Sequence, residues 1–350
     1  MGKVLKVVGG LLAVAVIAAV AFGAWVWTQK RAPDIPYATL EKRWGSPADR
    51  YVDLPGGYHL RYRDQGKADG PVLVLLHGFY VSLETWEPWA AELGKTHRVI
   101  SLDLPGHGLT RAPAGWPKDG LTYSQVLEAF AKAKGLDRFA LAGSSMGGAV
   151  AWDYALAHPE RVKGLILVDA AGWPQPGDAA GTKQLAMMKN PMLRAFFRDI
   201  DRSQMARDGL RKAYADPARL TDREVARTLD YGRAPGHRDA LIDLSLGVGR
   251  TGWATAERLA PIKAPTLILH GEKDALIPVS SARKFEGAIP GSMLIVYPGV
   301  GHIPQQEIAK SSARDVAAFL ASLEPKKKAP PKKPAPTAEG TKDPNALIFY

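Results

Sequence analysis

The chain contains no cysteine among its 350 residues. This absence excludes disulfide bonds, zinc or iron–sulfur sites with cysteine ligands, and a catalytic thiol, and it leaves the compartment open. Aromatic residues make up only 8% of the chain, but 46% of the residues are hydrophobic and 23% are charged. This is the composition of a globular protein and not of a disordered one. We therefore expect a sizeable folded core.

The chain also lacks the charge pattern of a nucleic-acid site, although its net charge is +11. Part of this charge lies after residue 324, where six lysines face two acidic residues with no arginine present and no aromatic side chain among the lysines. A clustered basic patch on a folded domain is the usual footprint of nucleic-acid binding. A segment rich in lysine, proline and alanine buries too little to offset its conformational entropy. We predict that residues 324–350 are disordered and that nucleic acid is not a partner.

Only one hydrophobic run is long enough to cross a membrane, and it lies near the N-terminus. Residues 7–27 carry no charge and end with Trp25 and Trp27, which suit the membrane interface. We predict that residues 1–31 anchor the protein in a membrane, with the rest of the chain outside the cytoplasm. The alternative is a cleaved signal peptide with its small residues at 21–23, but the apolar run is long for that and continues past this point.

Between the two termini, short apolar runs alternate with segments of helical periodicity, as in an α/β sheet. Runs such as VLVLL and LILV are uninterrupted, as expected for strands covered by helices on both faces. The pattern predicts strands at residues 58–63, 72–76, 98–102, 139–142, 164–168, 266–270 and 293–297. It predicts helices at residues 122–134, 147–158 and 308–323.

The interval from residue 172 to residue 260 breaks this alternation. It has helical segments, proline and glycine punctuation and several methionines and phenylalanines, but no strong strand pattern. We predict a helical cap at residues 172–260, inserted between two parts of the α/β core at residues 51–171 and 261–323.

The motif Gly143-x-Ser145-x-Gly147 carries the strongest functional signal. It follows a predicted strand and precedes a predicted helix. A nucleophile elbow needs glycines in these positions so that the backbone passes closely while the serine hydroxyl stays exposed. The register of the motif favours Ser145 as nucleophile, with the neighbouring Ser144 as the alternative.

A serine hydroxyl needs a positioned base at neutral pH, and histidine has the matching proton affinity. His302 follows the last predicted strand, and Asp274 follows the strand before it. Catalytic groups of open α/β sheets gather at such strand ends, and the order Ser, Asp, His suits a nucleophile elbow. We predict Ser145, Asp274 and His302 as a catalytic triad. A surface or core role is the alternative for any histidine, and we expect a structural role for His77 and His107.

Two backbone N–H groups are needed to stabilise the oxyanion of an acyl-transfer reaction. One belongs to Met146, the residue after the nucleophile. The other belongs to the loop after residues 72–76, where we choose Phe79. Because this donor is main chain, the Phe79 ring is free to line a pocket.

Five motifs together resemble the α/β-hydrolase superfamily over residues 51–323: HGF at 77–79, DLPGHG at 103–108, GSSMGG at 143–148, GEKD at 271–274 and GH at 301–302. Within it, the chain looks most like membrane-anchored monoacylglycerol lipases and related bacterial lipases or esterases. The resemblance implies a mostly parallel eight-stranded sheet with helices on both faces. It also implies an acyl-enzyme mechanism on carboxylic esters of small-molecule or lipid type, with no metal and no organic cofactor.

An acyl chain of medium or long length needs apolar, adaptable side chains around it. We expect such side chains from the cap and from the loops beside the triad, at Tyr80, Met187, Met188, Phe196, Phe197 and Ile277. The alternative for each of these residues is an ordinary place in a hydrophobic core.

Three other functions stay open for this sequence. Carbon–carbon-bond hydrolases of the same fold carry a similar elbow, usually with Asn where this chain has Ser144. Cofactor-free perhydrolases share the fold, and a non-catalytic binding module would use it without chemistry. Serine at the elbow argues against the related haloalkane dehalogenases and epoxide hydrolases, which use Asp there.

Overall fold

The computed structural model describes residues 2–174, 187–188, 190–201, 203–249 and 251–324. Its centre is one eight-stranded sheet with the strand order β1-β2-β4-β3-β5-β6-β7-β8. The strands are β1 Asp49–Leu54, β2 Tyr58–Gly66, β3 Val72–Leu76, β4 Arg98–Leu102, β5 Phe139–Ser144, β6 Val162–Val168, β7 Thr266–Gly271 and β8 Met293–Tyr297. All strand pairs from β4 to β8 are parallel, whereas β2 runs antiparallel to β4 and β1 antiparallel to β2. The expected mostly parallel eight-stranded sheet is confirmed.

The sequence pattern named seven of these strands and missed β1. This edge strand, DRYVDL, buries only Leu54 fully and carries three charged side chains. An edge strand beside solvent needs no continuous hydrophobic run, so the pattern that identified the central strands is absent here. Pairing with β2, from Asp49 opposite Arg63 to Leu54 opposite Tyr58, makes it a strand.

Thirteen helices lie in the described part of the chain, and several of them cover the two faces of the sheet. They are α1 Gly2–Lys30, α2 Tyr37–Trp44, α3 Glu87–Leu93, α4 Tyr123–Ala133, α5 Met146–Ala157, α6 Pro191–Asp199, α7 Ser203–Ala213, α8 Asp222–Gly232, α9 His237–Ser245, α10 Ala256–Leu259, α11 Val279–Ala288, α12 Pro304–Glu307 and α13 Ala309–Ser322. Short 3₁₀ turns lie at Leu83–Trp86 and Pro217–Arg219. The three helices predicted from periodicity correspond to α4, α5 and α13.

The alternation of side chains along the parallel strands builds two hydrophobic cores. In β3, Leu73 and Leu75 pack on one face with Trp86 and Trp89, while Val74 and its neighbour Leu76 pack on the other face. Successive side chains of a strand point to opposite faces, so a strand covered on both sides must be apolar throughout. The sheet is therefore rigid where its carboxyl ends carry the loops described below.

Between β6 and β7, the described residues form the helices α6 to α10 and no strand. We refer to residues 190–259 as the cap. The domain boundaries proposed above remain predictions, and residues 175–186 and 325–350, with the disorder predicted for the latter, lie outside the described part of the chain.

Helix α1 contains a segment, Lys6–Lys30, that is long and apolar enough to cross a membrane. Its mean hydropathy is 2.5, and none of its most apolar window is buried against the protein. A signal sequence has the same properties, so the helix alone does not distinguish an anchor from a leader.

Candidate active site

Ser145 lies at a sharp turn between β5 and α5. Its backbone has φ 54° and ψ −117°, which a residue with a side chain adopts at a cost of about 1–3 kcal/mol. A Cβ atom added to Gly143 would lie 2.1 Å from Gly147 O, and one added to Gly147 would lie 2.2 Å from Leu76 O. No side chain fits at either position, so the two glycines of the motif are what allow this turn.

The two serines of the elbow have different environments. Ser144 is 2% exposed, and its hydroxyl accepts a hydrogen bond from Gln305 Nε2 at 3.3 Å. Ser145 is half-buried, and in the described part of the chain no hydrogen bond engages its hydroxyl. The geometry therefore leaves the Ser145 hydroxyl, and not that of Ser144, available to a ligand.

His302 and Asp274 form a hydrogen-bonded pair. His302 Nδ1 donates to Asp274 Oδ2 at 2.7 Å, which leaves Nε2 of the neutral ring with a free lone pair. The other carboxylate oxygen, Oδ1, accepts from the backbone N–H groups of Leu276 and Ile277 at 2.7 and 2.9 Å. Burial raises the pKa of Asp274, but the hydrogen bonds from His302 and from the two backbone amides outweigh burial and lower this pKa below its usual value. Asp274 is thus a carboxylate at neutral pH.

The three residues predicted as a triad follow three strands of one parallel block. Ser145 follows β5, Asp274 lies beyond the end of β7 and His302 beyond the end of β8, and β6 separates β5 from β7. A direct contact joins the two regions, since Gln305 lies three residues after His302 and donates to Ser144 beside the elbow. The structure thus brings the serine turn and the histidine loop together at one edge of the sheet.

The loop that carries His302 is held by Glu307. The two carboxylate oxygens of Glu307 accept from Gly301 N at 2.8 Å and from Ala215 N, in the cap, at 3.0 Å. His302 N itself donates to Ala213 O at 2.8 Å. The cap therefore fixes the backbone on which the histidine is mounted, a role that sequence patterns did not indicate.

The loop proposed to supply an oxyanion donor lies against the nucleophile. A Cβ atom on Gly78 would be 3.2 Å from Ser145 Cβ, and no acceptor in the described residues takes the N–H of Phe79. Met146 begins α5, so its N–H has no acceptor within the helix. His77, fully buried, donates from Nδ1 to Gly78 O at 2.7 Å and accepts the Leu104 N–H at 3.0 Å. Its position agrees with the loop-ordering role expected for it.

His107 is buried beside this loop at 3% exposure, and its ring bonds the Pro105 carbonyl at 3.1 Å. Burial lowers the pKa of His107 well below its usual value, so the ring is neutral. This is a structural position and agrees with the expectation from sequence.

Sequence reasoning did not name Asp169, which is completely buried beside the pair. It directly follows β6 with φ 44°, and its Oδ1 accepts from Gly271 N at 2.8 Å. Its Oδ2 is buried without a hydrogen bond to any described residue. Burial and the nearby charge of Asp274 raise the pKa of Asp169 well above its usual value. The rule that functional groups gather at strand ends would have found it, since it occupies the same kind of position as Asp274.

Asp169, Asp274 and His302 each offer one ligand atom within 4.8 Å of the others, a spacing that also suits a metal ion. Asp274 and His302 are already engaged with each other in the 2.7 Å hydrogen bond, and the third member, Asp169, carries a carboxyl whose pKa is raised. The chemistry of the set is therefore that of an acid–base pair and not of a preformed ligand cage.

The six residues expected around an acyl chain do not all meet. Tyr80 and Met188 line a cavity of about 910 Å³ between the cap and the end of α1, together with Phe79. Ile277 is buried beside Asp274, with its carbonyl accepting from His270. The remaining three belong to α6 or its approach: Met187 is 45% exposed, and the rings of Phe196 and Phe197 contact each other at 5.4 Å.

Comparison with known proteins agrees with this architecture. A family model described as alpha/beta hydrolase fold matches residues 71–307. The acetyltransferase component of the acetoin cleaving system of Pseudomonas putida is 34% identical over 78% of this chain and 70% of its own length. A 2-hydroxy-6-oxo-6-phenylhexa-2,4-dienoate hydrolase of Burkholderia cepacia is 30% identical over 75% of this chain and 91% of its own. Monoacylglycerol lipase abhd6-B of Xenopus laevis is 26% identical over 77% and 81%.

Among solved structures, a bacterial membrane phospholipase A superposes with a TM-score of 0.64 at 25% identity, covering 92% of this chain and 99% of that one. The relatives thus include lipases and esterases, as the motifs suggested, but also hydrolases and acyltransferase components of other kinds. The shared sheet, the elbow and the match over more than half of the chain lead to one conclusion: this protein belongs to the α/β-hydrolase fold family.

Proposed function

We propose that the protein is a serine hydrolase that cleaves carboxylic esters through an acyl-enzyme intermediate. The observation that carries this proposal has two parts: the Ser145 hydroxyl lies on a strained turn without a hydrogen bond to any described residue, and a hydrogen-bonded His302–Asp274 pair lies at the same carboxyl edge of the sheet. A nucleophile, a base with a free lone pair and a carboxylate that orients the base are the three parts that acyl transfer needs.

In the proposed reaction, Ser145 Oγ attacks the ester carbonyl carbon while His302 Nε2 accepts the hydroxyl proton. Asp274 holds the ring through Nδ1 and stabilises the imidazolium that forms. The N–H groups of Phe79 and Met146 receive the oxyanion. The C–O bond then breaks, and His302 returns the proton to the leaving alcohol. Water then attacks the acyl-enzyme by the same route, with His302 accepting its proton. Its oxygen joins the acyl group, His302 returns the proton to Ser145, and the carboxylic acid is released.

We further propose that α1 anchors the protein in a membrane, with the catalytic part outside the cytoplasm, and that its substrates are lipid esters. Support comes from the length and hydropathy of the helix and from relatives named as a monoacylglycerol lipase and a membrane phospholipase. The apolar residues of the cavity beside Phe79 suit an acyl chain.

The test combines labelling with two matched serine variants. A fluorophosphonate probe reacts with an activated serine, so it should label Ser145 in the folded protein. Ser145→Ala should abolish labelling and lower kcat on p-nitrophenyl butyrate by about 10⁴-fold or more. Ser144→Ala is the matched comparison: it removes the hydroxyl that accepts from Gln305, and it should keep labelling at Ser145 with a loss of turnover far smaller than that of Ser145→Ala. Near-normal activity of the Ser145→Ala variant would refute the proposal.

Hydrolysis of a carbon–carbon bond is the second candidate, favoured by the 30% identity to the phenylhexadienoate hydrolase. Rates on a p-nitrophenyl ester series and on 2-hydroxy-6-oxo-6-phenylhexa-2,4-dienoate, measured with the same preparation, separate the two. We expect kcat/KM to be higher for the esters. A higher value for the dienoate would replace the ester proposal while leaving the role of Ser145 intact.

A further inference from the structure

The segment that follows α1 is fastened to the cap. Ala32 N donates to Asp199 O at 2.7 Å, and Ile35 N donates to Arg233 O at 2.8 Å. In the reverse direction, Arg233 Nη2 donates to Pro33 O at 2.8 Å. These hydrogen bonds attach the residues that follow α1 to the cap.

The cavity of about 910 Å³ lies where this segment meets the cap. Ligand pockets span roughly 300–1,000 Å³, so its size is that of a site for a large ligand. Its lining includes residues 29–33, at and after the close of α1, and also Phe79 and Tyr80 from the loop after β3. The wall between them is largely apolar, with Met205, Leu229 and Ile242 among its residues.

The inner end of the cavity approaches the proposed nucleophile through Phe79. Gly78, the residue before Phe79, packs directly against Ser145. In the described part of the chain neither Ser145 nor His302 lines the cavity itself, and Phe79, which is 38% exposed, is the lining residue whose neighbour Gly78 contacts Ser145. A chain lying in the cavity would therefore end beside the position where its ester carbonyl must be attacked.

The lining of the cavity carries positive charge at the C-terminal end of α1. Lys30 and Arg31 line the cavity, and within the described residues neither forms an ion pair; the Arg31 guanidinium lies 4.7 Å from the Trp27 ring centroid. Two carboxylates also line it, of which Asp230 is paired with Arg43 and Asp201 caps the Ser203 N–H. Lysine, arginine and tryptophan at the end of a membrane helix lie among lipid headgroups.

We propose that this cavity is an acyl-chain site that opens into the bilayer at the end of α1, so that the substrate is a membrane lipid ester drawn from the leaflet that adjoins Lys30 and Arg31. The proposal rests on the proposed hydrolysis of lipid esters and adds the site of the acyl chain and the route by which the lipid enters. The headgroup stays at the membrane surface beside Lys30 and Arg31 while an acyl chain passes along the apolar wall towards Phe79. A water-soluble ester gains nothing from this route.

The first experiment uses the full-length protein reconstituted into phosphatidylcholine vesicles. A fluorogenic ester with two long alkyl chains, which does not leave its vesicle, is placed either in the same vesicles or in a second population without protein. We expect rapid hydrolysis only when ester and protein share a bilayer. Equal initial rates in the two arrangements, or no hydrolysis in either while p-nitrophenyl butyrate is cleaved, would overturn the proposal.

The second experiment narrows the cavity. Ala226 lines it from α8, so Ala226→Phe should lower the ratio of kcat/KM for a long-chain ester to that for p-nitrophenyl acetate by about tenfold, the loss expected from two methylene groups left unburied. Ala256→Phe is the control because Ala256 is exposed on α10 of the cap and is not among the residues that line the cavity, so the ratio should stay unchanged. An unchanged ratio in a labelled, folded Ala226→Phe variant contradicts the proposal.

The two proposals fail in distinguishable ways. A wild-type protein that neither reacts with the fluorophosphonate nor cleaves p-nitrophenyl esters refutes the ester-hydrolase function. Normal labelling and short-ester turnover, combined with hydrolysis that ignores which vesicles hold the ester, refute only the acyl route through the cavity.

Discussion

Two aspartates near His302 have the same chemistry in sequence but opposite environments. Asp274 accepts two backbone N–H groups and the histidine ring, whereas Asp169 accepts one backbone N–H, from Gly271, and faces the charge of Asp274. Burial without enough donors favours the neutral acid, and a dense set of donors favours the carboxylate. One site therefore holds a charged and an uncharged carboxyl side by side, a separation of pKa values that is typical of catalytic sites.

This difference predicts a pH-dependent effect of Asp169→Asn on stability. The pKa of Asp169 is raised on folding by burial and by Asp274, with Glu307 as a smaller influence, so its stabilising contribution is complete below its unfolded pKa and is lost as pH rises through its folded pKa. The asparagine variant does not titrate. Its free energy of unfolding, relative to wild type, should therefore increase as pH rises from about 4, by up to about 1.4 kcal/mol per unit of pKa shift.

Urea unfolding of both proteins in the same detergent, at constant ionic strength across pH 4–9, measures this difference. A difference in unfolding free energy that is constant over this range would contradict a neutral buried Asp169. Since His302 is bonded to Asp274 and not to Asp169, the variant should also retain ester hydrolysis at neutral pH.

At the scale of elements, the cap does more than cover the sheet. Its segment at residues 213–219 bonds the loop between β8 and α13 at several points: Ala213 accepts from His302, Ala215 donates to Glu307, and Arg219 donates to the Glu307 carbonyl. Gly301 is so closely enclosed that a Cβ atom there would lie 2.5 Å from Ala215 N. The position of His302 therefore depends on these hydrogen bonds, and losing them would displace its side chain.

We therefore predict that Glu307 variants lose turnover by misplacing His302. Glu307→Ala removes both acceptors and should lower kcat by about 10- to 100-fold with little change in KM, because the histidine is displaced while the acyl site is kept. Glu307→Gln keeps one acceptor and should lose less. Each buried N–H left unpaired should also cost about 1–3 kcal/mol of stability.

Steady-state kinetics on p-nitrophenyl butyrate and the rate of fluorophosphonate labelling measure this positioning role directly. Glu286→Ala, on the exposed face of α11, is the control and should leave both unchanged. A Glu307→Ala variant that loses stability but keeps the wild-type kcat and labelling rate would show that Glu307 only supports the fold.

At the scale of the whole molecule, two kinds of apolar surface are separated. The side chains on the two faces of the sheet are buried by helices, whereas α1 exposes its own along its length, for example Leu11 at 66% and Ile17 at 67%. A continuous exposed apolar surface of this size is not stable in water, so it must lie in a membrane or be removed with a leader. The bonds that Ala32, Pro33 and Ile35 form with the cap lie after residues 21–23, so they are present whether the helix is retained or removed.

We predict that the full chain sediments with membranes and resists extraction by alkaline carbonate, with its N-terminal segment intact by mass spectrometry. Ile17→Arg together with Val20→Arg should release the protein, because each arginine near the middle of a spanning helix costs about 2.5–3.5 kcal/mol. Ile17→Leu with Val20→Leu is the matched control and should stay in the membrane fraction. A mature protein beginning after residues 21–23 would establish the signal-peptide alternative instead.

The central strands were readable from sequence because burial on both faces forces an uninterrupted apolar run, as in VLVLL. The elbow was readable because its strain and crowding require glycines at fixed positions around Ser145. The edge strand β1 could not be predicted from sequence, because only Leu54 is buried and its extended conformation is defined by pairing with β2. A local sequence pattern thus predicts a strand or a turn only where burial or crowding restricts which residues that strand or turn can contain.

The sequence by itself therefore determined the parallel sheet, the position of the sharp turn at Ser145 and the order of the three candidate catalytic residues. Only the tertiary structure decided that the buried Asp169 lies beside the His302–Asp274 pair with a raised pKa, that Glu307 ties the histidine loop to the cap, and that one cavity is lined by both the end of α1 and Phe79. These features depend on contacts between segments far apart in the chain. Which carboxyl receives enough donors, and which apolar surfaces enclose a space, is set by the packing of whole elements and leaves no periodic mark in the sequence.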